Sequence, residues 1–235
     1  NDSGWLAVTA QQSGYKGAVT VYDSGHQPVI QISLSSTFVV DAAVSPDCKT
    51  VAVVTMDQEG GRFYSRLLLY PVDREEPSAQ VDLGNIVCLD LDYESDQIWV
   101  MGEDELVIAD PKGEEESRSY ALGRYYLKGC DLEGDGFALL LLGQYRAGSA
   151  TQALILDSQG QIVQSLALNS QVLDYSAAGN YWALLTGSDL TIRTSTGTEP
   201  YALLEDPQGA RYADLSNDGS ALLADAQQAW LYLPN

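Results

Sequence analysis

Histidine and cysteine are scarce in this sequence, and each shortage argues against a class of site. His26 is the only histidine among 235 residues, which argues against a Ser-His-Asp triad and against metal centres with several histidine ligands. The three cysteines, Cys48, Cys88 and Cys130, include no C-x-x-C pair, which together with the single histidine argues against zinc. Their odd number argues against a disulfide framework. We expect buried free thiols, with a Cys88–Cys130 disulfide as the minor alternative.

Basic residues and long apolar runs are also in short supply. The chain has 33 acidic residues against 12 basic ones, and its formal charge is −21. Binding to nucleic acids and to anionic headgroups depends on Lys and Arg, so neither partner is expected. No run of 18 apolar residues and no signal peptide occurs in the sequence, so any membrane attachment would need an anchor removed from the N-terminus.

The sequence contains an internal repeat. Five segments begin with an aspartate that is followed by a turn and then an apolar run. These aspartates are Asp41, Asp90, Asp131, Asp174 and Asp214. Each unit continues with a second apolar run, usually a glycine-containing turn, and a third, alternating run. Such turns between apolar runs are hairpin signals, so each unit is predicted to be a meander of four strands, A to D.

The length and strand number of these units are typical of β-propeller blades. The B runs, such as Ala138–Leu142 and Trp182–Leu185, are continuously apolar and are therefore expected to be buried on both faces. We predict an all-β fold, a β-propeller with WD40/YVTN-like four-stranded blades. A pair of β-sandwiches is the alternative, but its outward positions should alternate with polar residues.

The predicted organisation is one domain over residues 1–235. Its six units are 1–34, 35–83, 84–122, 123–168, 169–204 and 205–235. The first unit lacks strand A and the last unit stops after strand C, so the two ends do not complement each other. We therefore expect that the propeller is incomplete at its N-terminus.

Four segments resemble an uncharacterised family of Gram-positive bacterial proteins. They are Ser13–Asp23, Asp41–Asp47, Gln144–Ala150 and Trp230–Pro234. Members of that family carry one N-terminal transmembrane helix followed by a propeller-like extracytoplasmic region. The resemblance implies an extracytoplasmic location, a removed anchor and an upstream blade, and it implies no activity or cofactor. Cys48 stands where propeller turns usually have glycine, so that turn is expected to differ locally.

Long connections on one side of the predicted propeller are the first candidate site. B–C loops and D–A connections emerge on the same face. Three B–C loops are long, Gln11–Gly17, Asp57–Ser65 and Gly143–Gln152, and the D–A connection Gly123–Lys128 lies on the same side. We call them the recognition segments. Their candidate binding residues are Tyr15, Lys16, Arg62, Phe63, Tyr64, Arg124, Tyr125, Tyr126, Tyr145 and Arg146. Tyr and Arg dominate recognition surfaces, aromatic faces suit sugars, and Arg suits carboxylates. The alternative is that these residues pack on each other.

The repeated aspartates are the second candidate. If Asp41, Asp90, Asp131, Asp174 and Asp214 point into the propeller channel, their carboxylates would form a ring able to hold Ca²⁺ or another hard cation. The favoured alternative is that each one caps a turn or accepts a hydrogen bond from a neighbouring blade. His26 lies beside a turn and is expected to be solvated.

The function that these observations favour is non-catalytic binding. We expect an extracytoplasmic propeller without a cofactor that recognises a cell-envelope glycan or a protein through the recognition segments. A hydrolase or lyase that uses channel carboxylates, with or without Ca²⁺, is the alternative. A structural spacer is a third reading, and the uneven composition of the long loops argues against it.

Overall fold

The computed structural model describes residues 3–94, 96–114 and 117–234. The described residues form 22 strands and no helix, arranged in six antiparallel sheets. The chain divides into two compact units, Asn1–Ala121 and Leu122–Asn235, and each is described by itself. The prediction of one domain over residues 1–235 stays a prediction.

The first unit contains three sheets in which consecutive strands pair. Its strands are β1 (Leu6–Ala10), β2 (Gly17–Tyr22), β3 (Pro28–Leu34), β4 (Phe38–Val44), β5 (Thr50–Glu59), β6 (Arg62–Pro71), β7 (Ala79–Gly84), β8 (Cys88–Tyr93), β9 (Ile98–Gly102), β10 (Glu105–Ala109) and β11 (Arg118–Ala121). The first sheet is β1–β3, the second is β4–β7 and the third is β8–β11.

The second unit repeats this plan in three further sheets. Its strands are β12 (Tyr126–Gly134), β13 (Phe137–Gly143), β14 (Gln152–Asp157), β15 (Ile162–Ala167), β16 (Val172–Ala178), β17 (Tyr181–Thr186), β18 (Asp189–Thr194), β19 (Pro200–Glu205), β20 (Tyr212–Leu215), β21 (Ala221–Ala224) and β22 (Ala229–Tyr232). The fourth sheet is β12–β15, the fifth is β16–β19 and the sixth is β20–β22. Four sheets therefore have the predicted A-B-C-D meander, and the first and sixth have three strands.

The B strands are buried on both faces, as their apolar runs predict. In β5, Val51 and Val53 belong to a core shared with the first sheet, whereas Ala52 and Val54 belong to a core shared with the third sheet. Successive side chains of a strand point to opposite faces, so one strand fills two cores. Full burial of each of these valine side chains contributes about 1.5–3 kcal/mol.

Strand β17 plays the same part in the second unit. Trp182 and Leu184 pack into a core with the fourth sheet, and Ala183 and Leu185 pack into a core with the sixth sheet. Strand β13 is buried at every residue. Stacked sheets explain why these runs contain no alternating polar residues, which a sandwich with a solvated face would require.

Four of the A–B turns contain one residue in the left-handed region. Glycine supplies it in three sheets, at Gly136 (φ 70°), Gly179 (φ 54°) and Gly219 (φ 81°), and Cys48 supplies it in the second sheet with φ 58°. Asp47 and Ser45 hold this turn, because their side-chain oxygens accept hydrogen bonds from the Lys49 N–H, each at 3.1 Å. The expectation that this turn differs locally is therefore wrong for the backbone, since Cys48 adopts the conformation that glycine adopts elsewhere.

We expect that Cys48→Gly stabilises the protein and that Gly136→Ala destabilises it. A side chain in the left-handed conformation costs about 1–2 kcal/mol, and part of the gain at position 48 is offset by the greater freedom of glycine in the unfolded chain. Gly136 is a matched control because a Cβ there would meet no atom within 4 Å, so strain alone acts. Urea unfolding measures both changes, and a loss of stability in Cys48→Gly would contradict the argument.

Candidate functional site

The recognition segment Asp57–Ser65 of the first unit is a hairpin and not a loop, which corrects the prediction. Strand β5 runs to Glu59 and β6 starts at Arg62. Only Gly60 and Gly61 separate them, with φ of 58° and 80°. Two successive residues with positive φ make the tight turn that matches the twist of paired strands, so pairing continues to the tip.

This hairpin extends beyond its own sheet. Strand β4 begins its pairing at Phe38 opposite Met56, and β7 ends its pairing at Gly84 opposite Ser65. The residues between Met56 and Ser65 therefore form a two-stranded ribbon whose outer edges have no strand neighbour among the described residues. Phe63, which is 47% exposed, lies near the tip of the ribbon.

Several candidate residues of the first unit interact with each other. The Lys16 Nζ lies 3.3 Å from Asp57 Oδ1 and 5.0 Å from the centre of the Phe38 ring. The Arg66 guanidinium lies 4.9 Å from the centre of the Tyr64 ring. The alternative of mutual packing thus describes Lys16 and Tyr64, whereas Tyr15, Arg62 and Phe63 are exposed.

In the second unit, one recognition segment ends earlier than the sequence predicts. The segment Gly123–Lys128 is not all connection, because β12 begins at Tyr126. Tyr126 and Lys128 are strand residues, and Tyr126 pairs with Gly143. Lys128 occupies the register shift between Leu127 and Gly129, where the additional residue of a bulge changes the direction of a side chain.

Lys128 fastens the neighbouring B–C loop, which spans residues 144–151. Its Nζ donates a 2.8 Å hydrogen bond to the carbonyl oxygen of Arg146. Its aliphatic stem crosses Gly143, where a Cβ would collide with the Lys128 Cε. At the far end of the loop, the Thr151 N–H donates to the Leu142 carbonyl oxygen at 2.8 Å. The loop is therefore held at its middle and at its end.

A pocket of about 250 Å³ lies between these two segments. Arg124, Tyr125, Gln144 and Tyr145 line it. The Arg124 guanidinium lies 5.5 Å from the centre of the Tyr125 ring, and Tyr145 is 73% exposed. The lining offers guanidinium, amide and phenol groups together with two aromatic faces.

Sequence reasoning found three of the four lining residues. Arg124, Tyr125 and Tyr145 are candidate binding residues, and Gln144 is not, because a single amide carries neither charge nor an aromatic face to attract notice. Its position next to Tyr145 was the available signal. Arg146 and Tyr126 lie beside the pocket rather than in its lining, and the Arg146 guanidinium is 5.9 Å from the centre of the Tyr126 ring.

The repeated aspartates bond to the backbone of the adjacent sheet. Asp131 Oδ2 accepts a 2.8 Å hydrogen bond from the Ala177 N–H, and Asp174 Oδ2 accepts one of 2.9 Å from the Ala213 N–H. Asp41 accepts hydrogen bonds from Ala42, at 2.8 Å, and from Leu91 of the third sheet. These carboxylates therefore link neighbouring sheets, as in the alternative in which each aspartate accepts a hydrogen bond from a neighbouring blade.

The other two repeated aspartates, Asp90 and Asp214, also accept hydrogen bonds. Asp90 Oδ1 accepts a 3.0 Å hydrogen bond from the Leu91 N–H. The Ser176 hydroxyl lies 3.5 Å from Asp214 Oδ1. Within residues 3–94, 96–114 and 117–234, no three His, Cys, Asp or Glu side chains are placed to hold a metal ion, and we propose no metal site.

The histidine and the three cysteines lie in a turn or in the packed sheets. His26 is an exposed turn residue with φ 60°, and its N–H donates to the Asp23 carbonyl oxygen at 2.9 Å. None of the three cysteines, all of which lie in the described residues, forms a disulfide. Cys88 is buried, whereas Cys48 and Cys130 are partly exposed. Burial raises the pKa of the Cys88 thiol, which keeps it protonated and unreactive.

Comparison with solved structures defines the class of fold. The chain is similar to the C-terminal WD40 domain of Sif2, with a TM-score of 0.57 and 10% identity over 100% of this chain and 79% of that chain. It is also similar to Hsv2p of Kluyveromyces lactis, with a TM-score of 0.65 and 12% identity over 97% of this chain and 70% of that chain. At such low sequence identity, the similarity shows only a shared fold. The protein is an all-β, WD40-like β-propeller protein, which confirms the predicted fold class.

Comparison with family models places the chain more narrowly. The chain belongs to a family of unknown function, DUF5711, whose model matches residues 1–204. A search of curated proteins gives no significant match. A Gram-positive origin and a membrane anchor stay predictions from the sequence resemblance. Among the residues that the structure describes, no helix has the length and apolar character needed to cross a bilayer.

Removal of the Asp174 carboxylate tests its role between sheets. Asp174→Ala leaves the buried Ala213 N–H without its acceptor, so we expect a loss of about 1–3 kcal/mol in the free energy of unfolding. Asp174→Asn keeps one acceptor oxygen and should lose less. Urea unfolding of both variants measures the difference, and equal stability of Asp174→Ala and the wild type would contradict the role.

The pH dependence of stability tests the burial of Asp41. Burial chiefly, and secondarily the charge of Asp90, raises the pKa of Asp41 above 3.8, against the opposing hydrogen bonds from Ala42 and Leu91. A raised native pKa means that Asp41 destabilises the fold progressively as pH rises through that pKa. The stability of Asp41→Asn minus that of the wild type should therefore grow from acidic to neutral pH.

Asp225→Asn is the matched control with the opposite sign. Hydrogen bonds from the Gln227 and Gln228 N–H groups lower the pKa of Asp225, so its charge contributes stability above its unfolded pKa. The stability of Asp225→Asn minus that of the wild type should become more negative over the same pH interval. Equal slopes for the two variants in thermal unfolding against pH would refute the assignment.

Proposed function

We propose that this protein is a non-catalytic binding module that recognises a cell-envelope glycan or a protein through its recognition segments. The observation that carries the proposal is the pocket of the second unit. A D–A connection and a B–C loop, singled out for their Tyr and Arg content, lie together there and supply Arg124, Tyr125, Gln144 and Tyr145. Concave sites with a few convergent polar groups are the usual form of ligand sites.

The framework around the pocket favours recognition by a preformed surface. Strand β13, which leads into the B–C loop, is buried along its whole length, and Lys128 holds the middle of the loop to β12. Groups that are already ordered lose less conformational entropy when a ligand binds. Loops on a rigid scaffold are also where binding residues concentrate.

The enzymatic alternative receives no specific support. A hydrolase or lyase would need channel carboxylates that act in proton transfer or hold a metal. The Asp131 and Asp174 carboxylates instead accept hydrogen bonds from backbone N–H groups of the next sheet. The extracytoplasmic location is part of the proposal and is supported by the sequence resemblance.

Substitution of two lining residues tests the proposal. We expect Arg124→Ala and Tyr145→Ala each to weaken binding to isolated bacterial cell envelopes at least tenfold, because Tyr and Arg contribute most to recognition surfaces. Both side chains are exposed, so the melting temperature should barely change. Co-sedimentation with envelopes and differential scanning calorimetry measure the two quantities.

Arg211→Ala and Tyr212→Ala are the controls for these variants. Both residues are exposed in the same unit, and Tyr212, at 64% exposure, is comparable with Tyr145 at 73%. Neither control should change binding. If the variants at 124 and 145 lower the melting temperature and leave binding intact, the residues serve packing and the proposal fails.

A further inference from the structure

The pocket of the second unit is formed by two segments that are cationic in an otherwise acidic chain. The segments Leu122–Cys130 and Gly143–Leu156 contain Arg124, Lys128 and Arg146 and no Asp or Glu. Three of the five basic residues of that unit therefore fall in two short segments, while the whole chain carries a formal charge of −21. A local excess of positive charge in a surrounding negative field favours an anionic ligand at this point.

The partners of Arg124 and Lys128 determine how much of their positive charge is available at the pocket. In the part of the chain that the structure describes, neither Arg124 nor Lys128 forms an ion pair with Asp or Glu. Arg124 lies over the Tyr125 ring, and the Lys128 ammonium is bonded to a neutral carbonyl oxygen. Arg124 in the lining can therefore offer its guanidinium to a ligand.

The lining also matches a hydroxyl-rich ligand. The Gln144 amide and the two phenol groups can donate and accept hydrogen bonds, and the Tyr faces can pack against the C–H face of a sugar ring. A guanidinium binds a carboxylate through two parallel hydrogen bonds. The volume of about 250 Å³ is below the range of about 300–1,000 Å³ that holds a drug-sized ligand, so the pocket suits one unit of a polymer.

We propose that this pocket binds a carboxylate-bearing sugar unit of a glycan, with Arg124 as the partner of the carboxylate and Tyr145 as the stacking face. This inference rests on the proposed binding function and narrows its ligand class. Lys128 acts as a positioning residue, since it touches the Arg146 carbonyl oxygen and holds the loop that carries Gln144 and Tyr145. Its ammonium adds positive charge beside the pocket.

Calorimetric titration with defined oligosaccharides tests the inference. The acidic probes are tetragalacturonate and the disaccharide of N-acetylglucosamine and N-acetylmuramic acid. The neutral probes are the methyl ester of tetragalacturonate and chitotetraose, and poly(glycerol phosphate) is the phosphate probe. We expect at least one acidic probe to bind at least tenfold more tightly than either neutral probe, and binding to weaken as salt rises because exposed charges are screened.

Variants then assign the roles. Arg124→Gln should remove the preference for the acidic probes and leave any weak binding of neutral probes. Arg124→Lys should restore that preference only in part, because a lysine ammonium lacks the planar fork. Tyr145→Ala should weaken acidic and neutral probes alike, and Arg211→Gln should change nothing. Lys128→Met should reduce affinity for the acidic probe without removing the preference for a carboxylate.

The possible outcomes separate this inference from the proposed function. Equal affinity for the acid and its methyl ester, or binding of poly(glycerol phosphate) alone, overturns the carboxylate inference and leaves a binding module. Binding of envelope proteins without binding of any oligosaccharide also overturns it and leaves the module intact. Failure to bind envelopes in any form overturns both. Acid-selective binding that Arg124→Gln abolishes supports both.

Discussion

Burial of the central strands on both faces is the constraint on which the rest of the structure depends. In β5 and β17, alternate side chains fill two different cores, so neither strand is satisfied by one neighbouring sheet. Stacked sheets meet that requirement, and the aspartate carboxylates that bond across adjacent sheets, such as Asp131 and Asp174, reinforce the stacking. Because both faces of these central strands are packed, the strand ends and their connections are left to form sites.

The connections between the strands form different structures in the two units. In the first unit, a Gly-Gly turn lets β5 and β6 continue as an extended ribbon, and nearby Lys16 is engaged by Asp57 and Phe38. In the second unit, an irregular loop is fastened by Lys128, and the result is a concave site lined by Arg and Tyr. The same repeat thus carries a projection in one unit and a pocket in the other.

The fold was predictable because its signals are local and repeated. Three patterns each indicate the four-stranded unit: the apolar B runs, the turn glycines and the spacing of the aspartates. The prediction failed where a polar composition was taken for a loop, although Gly60-Gly61 itself is a hairpin signal. Two features of the pocket could not be predicted from sequence. The hydrogen bond from Lys128 to Arg146 depends on how a bulge directs the lysine side chain. The presence of Gln144 in the lining depends on which loops meet in space.

Hydrogen exchange of the backbone amides tests the central claim, that doubly buried strands are the cooperative core. The amides of β13 and β17 should exchange most slowly, at a rate set by global unfolding. The loop at residues 144–151 and the ribbon tip at Gly60-Gly61 should exchange orders of magnitude faster. Exchange of β13 and β17 as fast as that of the loop would contradict the claim, because strands packed on two sides cannot open without separating the sheets.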